Sequence, residues 1–362
     1  MIFCATISRS LSRFHFNFRY PPLLTSICLR AFSTEASLDK ERMTCEVLKE
    51  FLAIVENTPA SVPKVYFAYI DKMCKTGNLT SASQVLQILN DKNIVVSPDA
   101  YNFILVEASQ KNDIDISCQV LKKLLLSGES PSATLCIKFA QAFRKVNDYV
   151  ELLRFIKEIS ETSCSSIPFI NKIIFAFAKS GQKDKALMIF DHLKRWNDSC
   201  LDIITYNIVL DILGRTGRVD EMLDVFASMK ETGFLPDTVS YNTLITGLRK
   251  VGRSDMCFAY FKEMIENGNV PNLITYTALI NVFGRAGNVE ESLKCFRDMK
   301  LKGILPSMQI YKALIHNLNK REKFELATEL SEEMNSSSTC LSGPRDLRPK
   351  RRIFMSGCQS GC

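Results

Sequence analysis

Short polar side chains return at a fixed interval in the C-terminal half of this chain. Asn207, Asn242 and Thr277 stand 35 residues apart, and Asp237, Asn272 and Ser307 keep the same interval. Amides, hydroxyls and carboxylates donate and accept hydrogen bonds. In register in successive units, such groups have no core to fill, so they suit recognition of a polar edge. The competing explanation is local, because Asn, Ser and Thr favour helix starts for the capping bonds they make there. No catalytic pattern accompanies them. The three histidines are His15, His192 and His316; none opens a His-x-Glu and no Cys-x-x-Cys occurs, so the zinc-deaminase signature is missing. No glycine-rich phosphate loop follows a strand pattern, and Cys358 and Cys362 alone do not make a metal site. The expectation is no catalytic residue, no cofactor and no metal.

The elements that must hold these side chains are helices. Ile203-Ile204-Thr205-Tyr206-Asn207 recurs as Thr238-Val239-Ser240-Tyr241-Asn242 and as Leu273-Ile274-Thr275-Tyr276-Thr277. Each unit has a glycine ten residues after its Asn or Thr (Gly217, Gly252, Gly287) and closes on Pro236-Asp237, Pro271-Asn272 or Pro306-Ser307. Tyr241, Leu244, Ile245 and Leu248 fall at helical spacing, which predicts a first helix. A glycine then suits a left-handed turn. Phe226/Met229, Phe261/Met264 and Phe296/Met299 mark one face of a second helix, and the proline closes the unit. Neither helix can bury its stripe alone, so stacked neighbours must supply the core. The frame extends as repeats 63–97, 98–132, 133–166, 167–202, 203–237, 238–272, 273–307 and a partial 308–334, about seven and a half in all, with 133–166 degenerate. Pro98-Asp99 leaves the boundary near 97–100 open. Residues 35–62 read as a helical lead-in. The fold class is all-α, a solenoid of antiparallel helix pairs.

These residues resemble the pentatricopeptide repeat family, whose 35-residue unit runs through a Tyr-Asn, a Lys-x-Gly turn and a closing Pro-Asp. The resemblance is to its P-class, covers about 63 to 334 and is strongest over 167–307. The tetratricopeptide repeat fits less well, since its eighth-place small residue is here Ile245, Ile280 or Ile315. The resemblance implies a right-handed superhelix that binds single-stranded RNA in an organelle, one base per repeat. It implies that the fifth and last residues of a repeat read the base, which gives the pairs Asn102/Ser132, Asn171/Asp202, Asn207/Asp237, Asn242/Asn272 and Thr277/Ser307. By the same carry-over, Ile204, Val239 and Ile274 would pack against base faces. Phe67, Ile137 and Lys312 fall off the code. The implied preferences, with the N-terminal repeat at the 5′ side, are C, U, U, either pyrimidine, and weakly A.

A basic residue recurs eight places after the reading position, at Lys179, Arg215, Lys250 and Arg285, and also at Lys75, Lys145 and Lys320; Gln110 breaks the series. One sign of charge in register suggests a phosphate track, against the alternative of cations favoured at helix ends by the dipole. The placement matters because the body carries little net charge. The chain has 46 basic and 39 acidic residues. Residues 1–34 hold Arg9, Arg13, Arg19 and Arg30 with no acid, and the tail adds Arg345, Arg348, Lys350, Arg351 and Arg352 against Asp346. An arginine-rich, serine-bearing, acid-poor start reads as a transit peptide; Arg30-Ala31-Phe32-Ser33-Thr34 resembles a mitochondrial processing site, with a plastid or dual import as the alternative. Residues 335–362 read as a disordered basic tail. Cys118, Cys257 and Cys295 fall where helices bury small side chains and behave as small hydrophobes. No apolar run reaches the roughly 18 residues that span a bilayer, so no membrane partner is expected. The chain is expected to act as a monomer on an organellar transcript, with a separate processing enzyme or the ribosome as a further partner. The alternative is a helical scaffold that binds protein.

Overall fold

The computed structural model describes residues 40–57, 62–145, 149–162, 166–196 and 201–336. The expected leader and the tail beyond Ser336 lie outside the described residues. Among those residues all regular structure is helical, in 17 helices, and none is long and apolar enough to cross a membrane. The chain forms two compact units, one ending at Ser130 and one beginning at Pro131.

The first unit holds α1 (Lys40–Asn57), α2 (Val62–Thr76), α3 (Leu79–Asp91), α4 (Pro98–Lys111) and α5 (Ile114–Leu126). Ser97 stands at the N-cap of α4 and Pro98 opens the helix, where its missing N–H costs nothing. The Ser97 N–H donates to the Tyr66 hydroxyl at 2.9 Å. Proline thus begins a helix here instead of closing a unit.

The second unit holds α6 (Ala133–Ala142), α7 (Val150–Thr162), α8 (Ser166–Lys179), α9 (Lys183–Trp196), α10 (Ile203–Thr216), α11 (Val219–Glu231), α12 (Thr238–Lys250), α13 (Ser254–Glu266), α14 (Leu273–Ala286), α15 (Val289–Leu301), α16 (Met308–Lys320) and α17 (Phe324–Ser336). Asn335 and Ser336, assigned from sequence to the tail, end α17. The helix α6 is only ten residues long, which matches the degenerate pattern of its repeat. Helices α6, α8, α10, α12, α14 and α16 each pack on the next and form one layer of first helices. Gly217 and Gly287 end α10 and α14 at φ 76° and 79°, a conformation that a Cβ disfavours.

The joints between repeats are aromatic. Phe226 on α11 meets Tyr241 on α12 at 5.4 Å between ring centroids. Phe190/Tyr206, Phe261/Tyr276 and Phe296/Tyr311 repeat the contact at 5.4, 6.1 and 5.3 Å. Tyr206, Tyr241, Tyr276 and Tyr311 are fully buried, and each edge-on pair adds about 0.5–1.5 kcal/mol beyond the area it buries. Three tyrosine hydroxyls then fasten the second helix of their own repeat, Tyr241 to Glu263 at 2.9 Å, Tyr276 to Asp298 at 2.5 Å and Tyr311 to Glu333 at 2.6 Å. Burial pushes the Cys257 and Cys295 thiols up to about 11 and about 12, so both stay protonated and inert; Cys118 is half-buried.

Candidate nucleic-acid interface

The first-helix layer brings the sequence-predicted pairs together at three successive joints. Asn171 Nδ2 donates to both carboxylate oxygens of Asp202, at 3.0 and 3.1 Å. Asn207 Nδ2 donates to Asp237 Oδ1 at 3.3 Å, and Asn242 Nδ2 to Asn272 Oδ1 at 3.2 Å. The second member of each pair is also the N-cap of the next first helix. Asp202 Oδ1 accepts from the N–H of Thr205, Asp237 Oδ1 from that of Ser240 and Asn272 Oδ1 from that of Thr275, at 2.8, 2.8 and 3.2 Å. Capping and pairing, alternatives in the sequence, are therefore carried by the same side chains. A cap of this kind contributes about 1 kcal/mol.

The geometry corrects one premise. Asn171 and Asn242 are only 6% and 7% exposed, so these amides do fill space, as polar members of the joint. Their capping partners carry the open side of each pair: Asp202 and Asp237 are half-buried and Asn272 is exposed.

The fourth pair does not assemble. Thr277 Oγ1 donates back to the Leu273 carbonyl of its own helix at 2.6 Å, and the Ser307 hydroxyl is buried with no hydrogen-bond partner. Asn102 and Ser132 fall in different units. Asn102 Oδ1 is buried without a partner, while Ser132 caps α6 by accepting from the Leu135 N–H at 3.2 Å.

Around the three joints the remaining expected residues lie open. Ile204, Val239 and Ile274 are 54%, 55% and 58% exposed, unusual for aliphatic side chains repeating in register and suited to a flat apolar partner. Lys179, Arg215, Lys250 and Arg285 are all exposed near the ends of α8, α10, α12 and α14. Arg215 pairs with Asp211 at 2.7 Å; none of the other three has a carboxylate within ion-pair distance among the described residues. Sequence spacing alone does not mark Arg249. It is half-buried beside the track, and its pKa is lowered by burial and then by the charge of Arg285. Arg249 on α12 and Arg285 on α14 thus bring two cations near each other on adjacent first helices. Nor does the pair register single out Thr205, Ser240 and Thr275, although their place three residues after an Asp or Asn is a capping-box signal. Among the described residues no group of three potential metal ligands occurs.

Layered helix pairs with a polar pair, an exposed aliphatic and a cation at each joint define an α-solenoid repeat protein. Residues 201–250, 236–285 and 271–320 match the model of the PPR repeat family, and residues 171–197 match the PPR repeat. Over these segments the chain is similar to pentatricopeptide repeats. The Arabidopsis thaliana pentatricopeptide repeat-containing protein At1g11900 is 41% identical over 150 residues, 40% of this chain and 40% of its own length. A second Arabidopsis relative, the pentatricopeptide repeat-containing protein At3g09650, designated chloroplastic, is 30% identical over 174 residues, 48% of this chain and 22% of its own. The chain therefore spans well under two thirds of these relatives. The crystal structure of the maize pentatricopeptide repeat protein PPR10 aligns with 86% of this chain and 43% of that one, at TM-score 0.50 and 19% identity. That likeness is one of fold.

Proposed function

We propose that the chain binds single-stranded RNA along its layer of first helices, reading about one base per repeat. Pentatricopeptide repeats use two or three side chains per base, and one observation carries the reading here. At three consecutive joints an Asn amide and an Asp or Asn cap are held together, as in Asn207–Asp237 at 3.3 Å. Exposed Ile204, Val239 and Ile274 supply surfaces against which base faces stack, and Lys179, Arg215, Lys250 and Arg285 supply cations for the backbone.

The hydrogen-bonding capacity left at each joint supports the expected preferences. Asn171/Asp202 and Asn207/Asp237 offer an amide donor beside a carboxylate acceptor, which complements the carbonyl and N–H of uracil. Asn242/Asn272 offers an amide pair with no carboxylate, which accommodates either pyrimidine. Thr277/Ser307 lacks a preassembled pair and contributes least, leaning to A. Asn102/Ser132 would favour C.

With no catalytic group in the reading, the protein acts by occupancy on a transcript in an organelle, the mitochondrion by the character of residues 1–34, as a P-class member. Shielding an RNA end, exposing a site or positioning a separate processing enzyme or ribosome all follow from occupancy. The test is selection of bound RNAs from a random pool with the full chain, followed by salt titration of the winner. Enrichment of a string containing U–U–pyrimidine supports the reading. Enrichment of nothing, with weak and salt-sensitive binding only, rejects it in favour of a protein-binding scaffold.

A further inference from the structure

One hydroxyl performs the same two tasks at each of the three assembled joints. Thr205 Oγ1, Ser240 Oγ and Thr275 Oγ1 accept from the backbone N–H of the cap residues Asp202, Asp237 and Asn272, at 3.3, 3.2 and 3.0 Å. The same oxygens stand 2.6, 2.7 and 2.6 Å from Oδ1 of Asn171, Asn207 and Asn242, on the preceding repeat. The cap oxygens lie at 2.8, 2.8 and 3.3 Å and are farther in every case. Amide and cap oxygens both only accept, and at every joint the amide oxygen is the nearer, so the hydroxyl gives it its single proton. The amide oxygen is thereby occupied from one side, while the amide nitrogen is turned to the cap oxygen.

The reversed amide would set its oxygen against the Asp202 carboxylate at about the 3.0 Å now spanned by a hydrogen bond, and would leave the hydroxyl facing an N–H. Hydroxyl and cap together therefore hold each amide in one orientation, with Oδ1 inward and only an N–H left to offer.

The same chain supplies the contrast. Where the third place of the repeat lacks a hydroxyl, the network is missing. Ile310 stands there after Ser307, and Thr277 turns to its own helix while Ser307 Oγ is left buried and unpaired.

We propose that Thr205, Ser240 and Thr275 are positioning residues for base recognition. Each fixes the amide orientation of the reading Asn in the preceding repeat, so the base is read through a fixed donor and specificity at a nucleotide depends on three residues of two repeats. This rests on the RNA reading above.

The experiment uses the full chain and its selected RNA, with each of the four bases placed in turn at the nucleotide governed by Asn207. Ser240→Ala should lower discrimination among those bases by about five-fold, the scale of one lost hydrogen bond. Discrimination at neighbouring nucleotides should stay unchanged, and Ser240→Thr should restore what was lost. A purely structural role would weaken binding to all four bases alike and leave their ratios intact. Thr275→Val, nearly isosteric, repeats the test at the next nucleotide should Ser240→Ala fold poorly. Wild-type ratios in both variants overturn the inference while leaving RNA reading in place. A wild type with no base preference at either nucleotide overturns the reading itself, and this inference with it.

Discussion

Gly214 on α10 and Gly247 on α12 face each other so closely that a Cβ built on Gly247 would stand 3.2 Å from the Gly214 Cα. The same Cβ would lie 2.7 Å from the Met222 sulfur. The methionine is flexible and can yield, but the facing backbone cannot do so without moving a helix. Gly247→Ala should therefore lose more by overpacking, which costs about 1–3 kcal/mol, than the roughly 1 kcal/mol that Ala gains over Gly inside a helix. The expected net is a loss of about 1 kcal/mol. A rise in stability on urea denaturation would show that α10 and α12 separate freely.

Exchange of the reading amide should change which base is preferred. Asn207→Thr, with Asp237 kept, is expected to move the preference at that nucleotide from U towards G. The shift should correspond to about 1–3 kcal/mol, the cost of leaving a buried polar group unpaired. Binding titrations with the four bases at that position measure it, and an unaltered preference refutes the pairing.

Loss of a track cation should act without regard to sequence. Lys250→Ala should weaken binding to all RNAs alike and lower the magnitude of the log–log salt slope by roughly 0.7, the value for one phosphate contact on a single strand. Arg215→Ala should do less, because Arg215 already shares its charge with Asp211 at 2.7 Å. A base-dependent effect of Lys250→Ala would remove it from the track.

Stability should fall at both ends of the pH scale. Asp298 and Glu333 are partly buried, which by itself raises a carboxyl pKa, yet bonds from Tyr276 and Lys302 to Asp298, and from Lys300 and Tyr311 to Glu333, outweigh burial and hold both below the ordinary value. Their stabilisation is present above the unfolded pKa of about 4 and is lost as pH falls through the folded values. Tyr241 and Tyr276 are pushed up to about 12, chiefly by burial. Their contribution is complete below the unfolded value of about 10 and is lost as pH rises through about 12. Melting temperatures across pH should show this plateau, with a shallower acid limb in Asp298→Asn. An unchanged acid limb would assign the loss to other carboxylates.

The sequence by itself determined the period, the helix pairs and the buried stripe of Tyr241, Leu244, Ile245, Phe226 and Met229. These follow from local rules, because a 3.6-residue turn decides which side chains share a face and a glycine or proline decides where a helix stops. It set Ile204, Val239 and Ile274 in one register, while their exposure of 54%, 55% and 58% is a property of the packed helices. Only the tertiary structure decided that Asn171 rests on Asp202 and Thr205, residues 31 and 34 positions away, with its amide nearly covered. It decided too that Thr277 bonds to its own helix and Ser307 is left without a partner. Such contacts depend on how closely successive first helices approach, and that distance is set by the facing residues, here the side-chain-free Gly214 and Gly247. One unit's periodicity says nothing of the gap to the next, because the gap is a property of two surfaces packed together.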